Sequence, residues 1–230
     1  MNIKIKTFSV LTLLLLIGVC KFTIHSELKF SSVLELLKPS YKGKSLIETK
    51  IQIEMSSLEK CNEEKDSLAL ILKEYLQGLK DVECQNSEIE TLWVGKFQLP
   101  MVKMINGQYE VTNGLFNITV ANIKSIKIGM YRNEEEFSEL KKKLDEKYSD
   151  TVKLEGLQFG IDFANDSETE LNLKLDSVYT SGKAYPKRAS IKLEAEQMFT
   201  FTLSQILLAS INERSHSDFM TIEAVEKPDK

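Results

Sequence analysis

The chain has 230 residues, of which 42% are hydrophobic and 28% are charged, a composition typical of a folded globular protein. Its 30 Lys and Arg residues against 34 Asp and Glu residues give a net charge of -4, and no basic run is interleaved with aromatic residues, so nucleic acid is not an expected partner. Three cysteines without a Cys-x-x-Cys pair are too few for a disulfide-stapled scaffold and do not match a zinc or redox motif of that type.

The first 25 residues indicate a segment for export or membrane insertion. Lys4 and Lys6 precede an apolar run of 13 residues at positions 8–20. A signal peptide usually has an apolar core of about 7 to 15 residues, and a membrane anchor needs about 20. No small-x-small cleavage motif follows the run, and residues 7–24 reach spanning length if the ammonium group of Lys21 lies at the interface. We therefore predict an uncleaved membrane anchor made of Leu11, Leu13, Leu14, Leu15, Leu16 and Ile17.

The same segment leaves two alternatives open. Cleavage as a signal peptide gives a secreted protein, and a lipid on Cys20 gives a lipoprotein, although Val19 is bulkier than the residue such a site needs before its cysteine. The charges of Lys4 and Lys6 favour a cytoplasmic N-terminus. In each case the rest of the chain is expected outside the cytoplasm.

Residues 26–84 form the second predicted segment, which is helical. Residues 27–37 have the pattern of a short amphipathic helix that ends before Pro39. Between positions 45 and 80, apolar side chains recur seven apart, which is typical of a coiled coil. A helix packed on its own domain is the alternative. The predicted interface with a partner helix, in a homodimer or heterodimer, consists of Ile51, Leu58, Leu68, Leu72 and Leu79.

Two cysteines fall in this segment. On one continuous helix, Cys61 and Cys84 lie about 34 Å apart at 1.5 Å per residue, which is beyond the reach of a disulfide. A bond between them requires a helical hairpin or a second chain. The sequence therefore favours unpaired cysteines or an intermolecular disulfide.

Residues 85–230 form the third predicted segment, an α+β domain. Asn106-Gly107 between two alternating stretches predicts a hairpin, because a type I′ turn needs positive φ at both central residues. Asn133 and Glu136 predict the start of a helix with Phe137, Leu140 and Leu144 on its buried side. Residues 115–226 then give strand, helix, strand twice with one extra strand. This order predicts a ferredoxin-like fold, an antiparallel sheet with two helices on one face.

An N-terminal stub, one membrane anchor, a helical segment and a small ferredoxin-like domain resemble the layout of the inner-membrane alignment proteins of type IV pili and type II secretion systems, the PilN/PilO and GspM-like group. The resemblance covers almost the whole chain as architecture, without a sequence motif specific to that group. It implies a non-enzymatic scaffold in the bacterial inner membrane, with its body in the periplasm and other membrane-complex proteins as partners.

The sequence contains no arrangement that indicates catalysis. His25 and His216 are its two histidines, and neither has a nucleophile, base and orienting group nearby in the sequence. No Gly-rich phosphate loop and no His-Glu-x-x-His motif occurs, so we predict no catalytic, cofactor or metal site. A secreted or lipid-tethered ligand-binding protein is the alternative function. Asn117 and Asn165 match the glycosylation acceptor pattern, the second in a predicted turn.

Overall fold

The computed structural model describes residues 21–41, 43–105, 107–109, 112, 114–148, 156–180, 183–185 and 189–223. Of the described residues, 51% lie in strands and 27% in helices. The strands are β1 (Phe22–Lys29), β2 (Ser45–Met55), β3 (Lys80–Asn86), β4 (Thr91–Ile105), β5 (Gln108–Tyr109), β6 (Phe116–Asn122), β7 (Ile126–Arg132), β8 (Gln158–Ala164), β9 (Leu171–Leu175), β10 (Val178–Thr180), β11 (Lys183–Tyr185), β12 (Ala189–Leu193), β13 (Met198–Leu203) and β14 (His216–Glu223). The helices are α1 (Phe30–Leu37), α2 (Leu58–Tyr75), α3 (Glu134–Tyr148) and α4 (Gln205–Arg214).

One large sheet dominates the described part of the chain. Its strands follow the order β11-β10-β13-β8-β1-β2-β4-β6-β7-β14-β9-β12, with β3 and β5 paired to β4 outside that order. The β1–β8 and β4–β6 pairs are parallel, and the sheet curls into a half-barrel. The predicted ferredoxin-like fold is therefore wrong, because strands from both halves of the chain belong to this single curled sheet.

Strand β1 joins the two halves of the sheet. It pairs with β2 on one side and with β8 on the other. Phe22, Ile24 and Leu28 point to the buried side, which we call the inner face, and His25 points to the opposite, outer face. The prediction missed this strand because it assigned residues 7–24 to a membrane helix and residues 27–37 to an amphipathic helix.

The described residues include no helix that is long and apolar enough to cross a membrane. The prediction of a single-pass inner-membrane protein with a span over residues 7–24 is wrong, because Phe22 and Ile24 are buried in strand β1 rather than facing lipid. The predicted anchor residues, Leu11, Leu13, Leu14, Leu15, Leu16 and Ile17, lie outside the described residues.

The coiled coil predicted for residues 45–80 is also wrong. The first part of this segment is strand β2, in which Ile47, Ile51 and Ile53 are buried on the inner face by simple alternation. The apolar positions seven apart therefore belong to a strand, a helix and a turn in succession. In helix α2, Leu68 and Leu72 are fully buried in the core of their own chain.

Local sequence sets the ends of helix α2. Ser57 caps its start by accepting a hydrogen bond from the Lys60 backbone N–H at 3.1 Å. Gly78, with φ of +68°, turns the chain back into strand β3. The indole of Trp93 on β4 donates to the backbone carbonyl of Lys65 at 3.2 Å and fixes the helix to the sheet.

Helix α3 confirms its sequence prediction. The Asn133 side chain accepts from the Glu136 backbone N–H at 3.4 Å, and Leu140 and Leu144 are buried. Helix α4 starts at Gln205, because Ser204 is its cap and accepts from the Leu207 backbone N–H at 3.2 Å. Both helices pack beside the start of β6 and the end of β7, and the space between the two helices forms a groove.

Candidate functional site

A groove of about 380 Å³ opens between helix α3, helix α4 and the inner face of β6 and β7. This volume falls in the range of small-molecule sites. We call it the helix groove. Apolar side chains from both helices, from β6 and from the residue before β8 form much of its lining, namely Phe116, Phe137, Leu157, Leu208 and Ile211.

Arg132 is a buried charged side chain in the wall of the helix groove. It ends strand β7, and its side chain is 5% exposed. The guanidinium carbon lies 4.0 Å from the ring centre of Phe137, and Nη2 donates to the carboxylate of Glu134. The buried Nε has no hydrogen-bond partner. An unsatisfied buried donor costs about 1–3 kcal/mol, so this guanidinium has a donor available for an added acceptor.

Polar groups also stand at the rim of the helix groove. The second carboxylate oxygen of Glu134 accepts from the Ser138 hydroxyl at 3.5 Å, and the Glu134 side chain is 52% exposed. The Gln205 amide donates to the backbone carbonyl of Leu157 at 3.1 Å, which ties α4 to the chain before β8. An apolar lining with a few placed polar groups is typical of sites that bind small molecules.

The outer face of the sheet carries a second cluster, around His25. Its Nε2 lies 2.6 Å from a carboxylate oxygen of Asp162 on β8, and the other oxygen of Asp162 accepts from the Thr200 hydroxyl on β13 at 2.6 Å. Gly160, which pairs directly with His25, leaves room for the ring, since a Cβ there would lie 2.5 Å from Nδ1. Three neighbouring strands thus build a His-Asp-Thr chain that the sequence analysis did not find.

The order of groups in this cluster limits its chemistry. Burial raises the pKa of Asp162, but hydrogen bonds from Thr200 and His25 lower it by more than burial raises it. The net shift is downward and the carboxylate stays ionised. An ionised Asp162 accepts from both neighbours. An activated hydroxyl needs the histidine between the hydroxyl and the carboxylate, whereas here the carboxylate is in the middle. The arrangement orients His25 rather than activating Thr200.

His216 forms a third cluster, also on the outer face. Thr119, Gly129 and Asp218 lie side by side on β6, β7 and β14. His216 Nε2 lies 2.9 Å from the Thr119 hydroxyl and 3.5 Å from Asp218, and the ring of Tyr109 on β5 packs over it at 4.9 Å. The hairpin of β4 and β5 therefore covers this histidine.

The burial of His216 under this hairpin affects its pKa. Burial lowers it, Asp218 raises it, Lys127 lowers it, and the net shift is downward from the usual value of 6.5. The neutral ring is therefore the favoured form in the folded protein near neutral pH.

Cys61 and Cys84 form a disulfide within one chain, with their Cα atoms 6.0 Å apart. The predicted intermolecular bond is wrong, because the helix that contains Cys61 ends at Tyr75 and the chain returns alongside it as β3. The prediction of a long separation assumed one continuous helix.

The residues predicted to contact a partner helix have different surroundings. Ile51 lies in strand β2, Leu68 and Leu72 lie in α2, and Leu79 lies in the turn before β3, all buried within their own chain. Leu58, at the start of α2, is 40% exposed. The structure does not bring them together on one free surface.

Both predicted glycosylation acceptors are fully buried. Asn117 accepts two hydrogen bonds from Thr112, and the Asn165 amide donates to the backbone carbonyls of Thr169, Leu193 and Glu194 at 2.8 to 3.1 Å. Neither side chain is available for modification in the folded protein. Asn165 instead ties the loop after β8 to the loop after β12.

The described residues form a curled β half-barrel with helices packed on it, and the helix groove opens beside two of those helices. A family model described as a domain of unknown function, DUF7424, matches residues 22–227, and the chain belongs to this family. No curated protein and no solved structure matches the chain. The predicted resemblance to pilus and secretion alignment proteins stays a prediction.

The sequence analysis missed the helix groove because its residues come from separate stretches of the chain, near positions 116, 132–141, 157 and 205–211. One signal was present. Arg132 continues the alternation of Ile128 and Met130, so it occupies an inward position of a strand. A charged residue is seldom fully buried unless it is paired, and its place directly before the cap Asn133 indicates a site at the strand end.

Proposed function

We propose that this protein is an exported binding protein that holds an apolar small molecule in the helix groove. The observation that carries the proposal is the groove itself, whose lining combines a larger apolar part with five charged or polar side chains, Arg132, Glu134, Ser138, Lys141 and Gln205. A largely preformed concave site of this composition is the usual form of a ligand pocket. The proposed role is binding, and the His25 and His216 clusters serve to hold the structure.

The proposed compartment rests on two features. The Cys61–Cys84 disulfide favours an oxidising environment, since such bonds are rare in the cytosol. The family match begins at residue 22, directly after the apolar run at positions 8–20. A leader that is removed, or a lipid on Cys20, agrees with both features. The intact mass of the protein isolated from its native host separates a cleaved chain from one that keeps its first residues.

Binding is tested with a neutral fluorescent dye such as Nile red. Ala209 lies on the exposed side of α4 and lines the groove, so Ala209→Trp should fill the groove and abolish dye binding. Ile206, on the same helix, is 67% exposed and outside the groove. Ile206→Trp is therefore the matched control and should bind the dye like the wild type. Equal binding by both variants would refute the proposed site.

A further inference from the structure

We propose that the ligand of the helix groove carries a carboxylate, and that Arg132 recognises it. This inference rests on the proposed function and names the chemical class of the ligand: an apolar carboxylic acid, with its tail along the apolar lining and its head at the guanidinium.

The hydrogen bonding of Arg132 carries the inference. A guanidinium binds a carboxylate through two parallel N–H donors, and Nε with Nη2 forms one such pair. In this structure Nη2 donates to Glu134, whereas the buried Nε has no partner. Only one of these two donors therefore has an acceptor. A ligand carboxylate at this position would accept from both donors and satisfy the one that is now unpaired.

Glu134 is a replaceable occupant of this position. Its side chain is half exposed, so its ion pair with Arg132 is open to water on the Glu134 side, and such a carboxylate gains little from the contact. Once it moves away, the buried guanidinium lacks a counter-ion, which favours an incoming anion over a neutral group. The contact that Glu134 makes also demonstrates that a carboxylate fits against Nη2.

The apolar lining determines the rest of the ligand. Phe116, Leu157, Leu208 and Ile211 line the groove beside Arg132. Each methylene that leaves water for such a surface strengthens binding by about fourfold. A medium-chain fatty acid combines this apolar tail with the required head, and decanoic acid is a suitable probe.

The test compares decanoic acid with decanol at neutral pH, by displacement of Nile red from the purified protein. These two probes share a tail and differ in the head group. The wild type should bind decanoate at least about tenfold more tightly than decanol, the ratio that one charge-assisted hydrogen bond supports. Arg132→Met should lose this preference. Lys192→Met removes a positive charge that does not line the groove and is 73% exposed, and it should keep the preference.

Because Arg132 is buried, its replacement can also affect folding, and Glu134→Gln provides an independent variant at an exposed position. Without the competing carboxylate, decanoate should bind several-fold more tightly while decanol binds as before. If the wild type and Glu134→Gln both bind Nile red but bind the acid and the alcohol equally well, the carboxylate inference is overturned and the proposed groove stands. Failure of the dye to bind at all would instead refute the proposed function.

Discussion

The Cys61–Cys84 disulfide should contribute a large part of the stability of this fold. The bond closes a loop with a sequence separation of 23 residues, which contains most of α2 and the turn into β3. Chain-entropy arithmetic for a loop of that length gives about 3.4 kcal/mol at 25 °C. With a urea dependence of about 2 kcal/mol per molar, replacement of both cysteines by alanine should lower the unfolding midpoint by about 1.7 M.

The assay is equilibrium urea unfolding, followed by the fluorescence of Trp93, which is fully buried on β4 beside α2. The oxidised wild type, the reduced wild type and the Cys61→Ala/Cys84→Ala variant should give one high and two similar lower midpoints. Reductant should have no effect on the double variant. Equal midpoints in all samples, or a covalent dimer on a non-reducing gel that disappears in the double variant, would refute an intrachain bond.

Three further predictions follow from the buried clusters. Burial lowers the pKa of His216 below its usual 6.5, so the stability that depends on its neutral ring should be fully present above about pH 6.5 and should decline as the pH falls below that value. In urea unfolding, the free energy of unfolding of His216→Gln should therefore fall less steeply between about pH 7 and pH 5 than that of the wild type, and equal slopes would contradict this. Gly160→Ala should destabilise the protein by about 1–3 kcal/mol because the new Cβ collides with His25. Adding His25→Ala removes the colliding ring and should raise the melting temperature again; a double variant as unstable as Gly160→Ala would contradict the collision. Asn165→Ala should cost about 2–3 kcal/mol because it leaves buried carbonyls unpaired, whereas Asn172→Ala, at a half-buried strand position, should cost clearly less in the same thermal unfolding assay.

Some local elements after residue 100 could be predicted from the sequence. The hairpin at Asn106-Gly107 is present, since Ile105 pairs with Gln108 and Gly107 has φ of +81°. The cap at Asn133 and the stripe of α3 are also as predicted. These features depend on a few neighbouring residues, so their chemistry is visible in a short window of sequence.

The assembly of the sheet could not be predicted in the same way. Alternation in β2 is clear once Ile47, Ile51 and Ile53 are compared, but Ile51 also belongs to a seven-residue series with Leu58 and Leu72 beyond the strand. Apolar periodicity alone does not say which partner a strand has. The parallel pairing of β1 with β8 depends on residues more than 130 positions apart, which no local pattern encodes.

The candidate site was hidden for a related reason. Arg132 and the apolar residues of the helix groove come together only when α3, α4 and the chain before β8 are in place. The histidine clusters show the same dependence, because His25 and Asp162 meet across 137 positions. A sequence analysis that searches for catalytic groups close together in the chain therefore overlooks them.

The central position of β1 also determines when the chain is able to fold during its synthesis. Strand β1 is the first described strand to be made, but one of its two partners, β8, ends at Ala164. Until then one edge of β1 has no partner, and contacts between such distant segments form slowly. A nascent chain with an open, apolar edge is prone to aggregate or to meet a chaperone. For an exported protein of the kind proposed above, which would cross a membrane before it folds, this delay is an advantage.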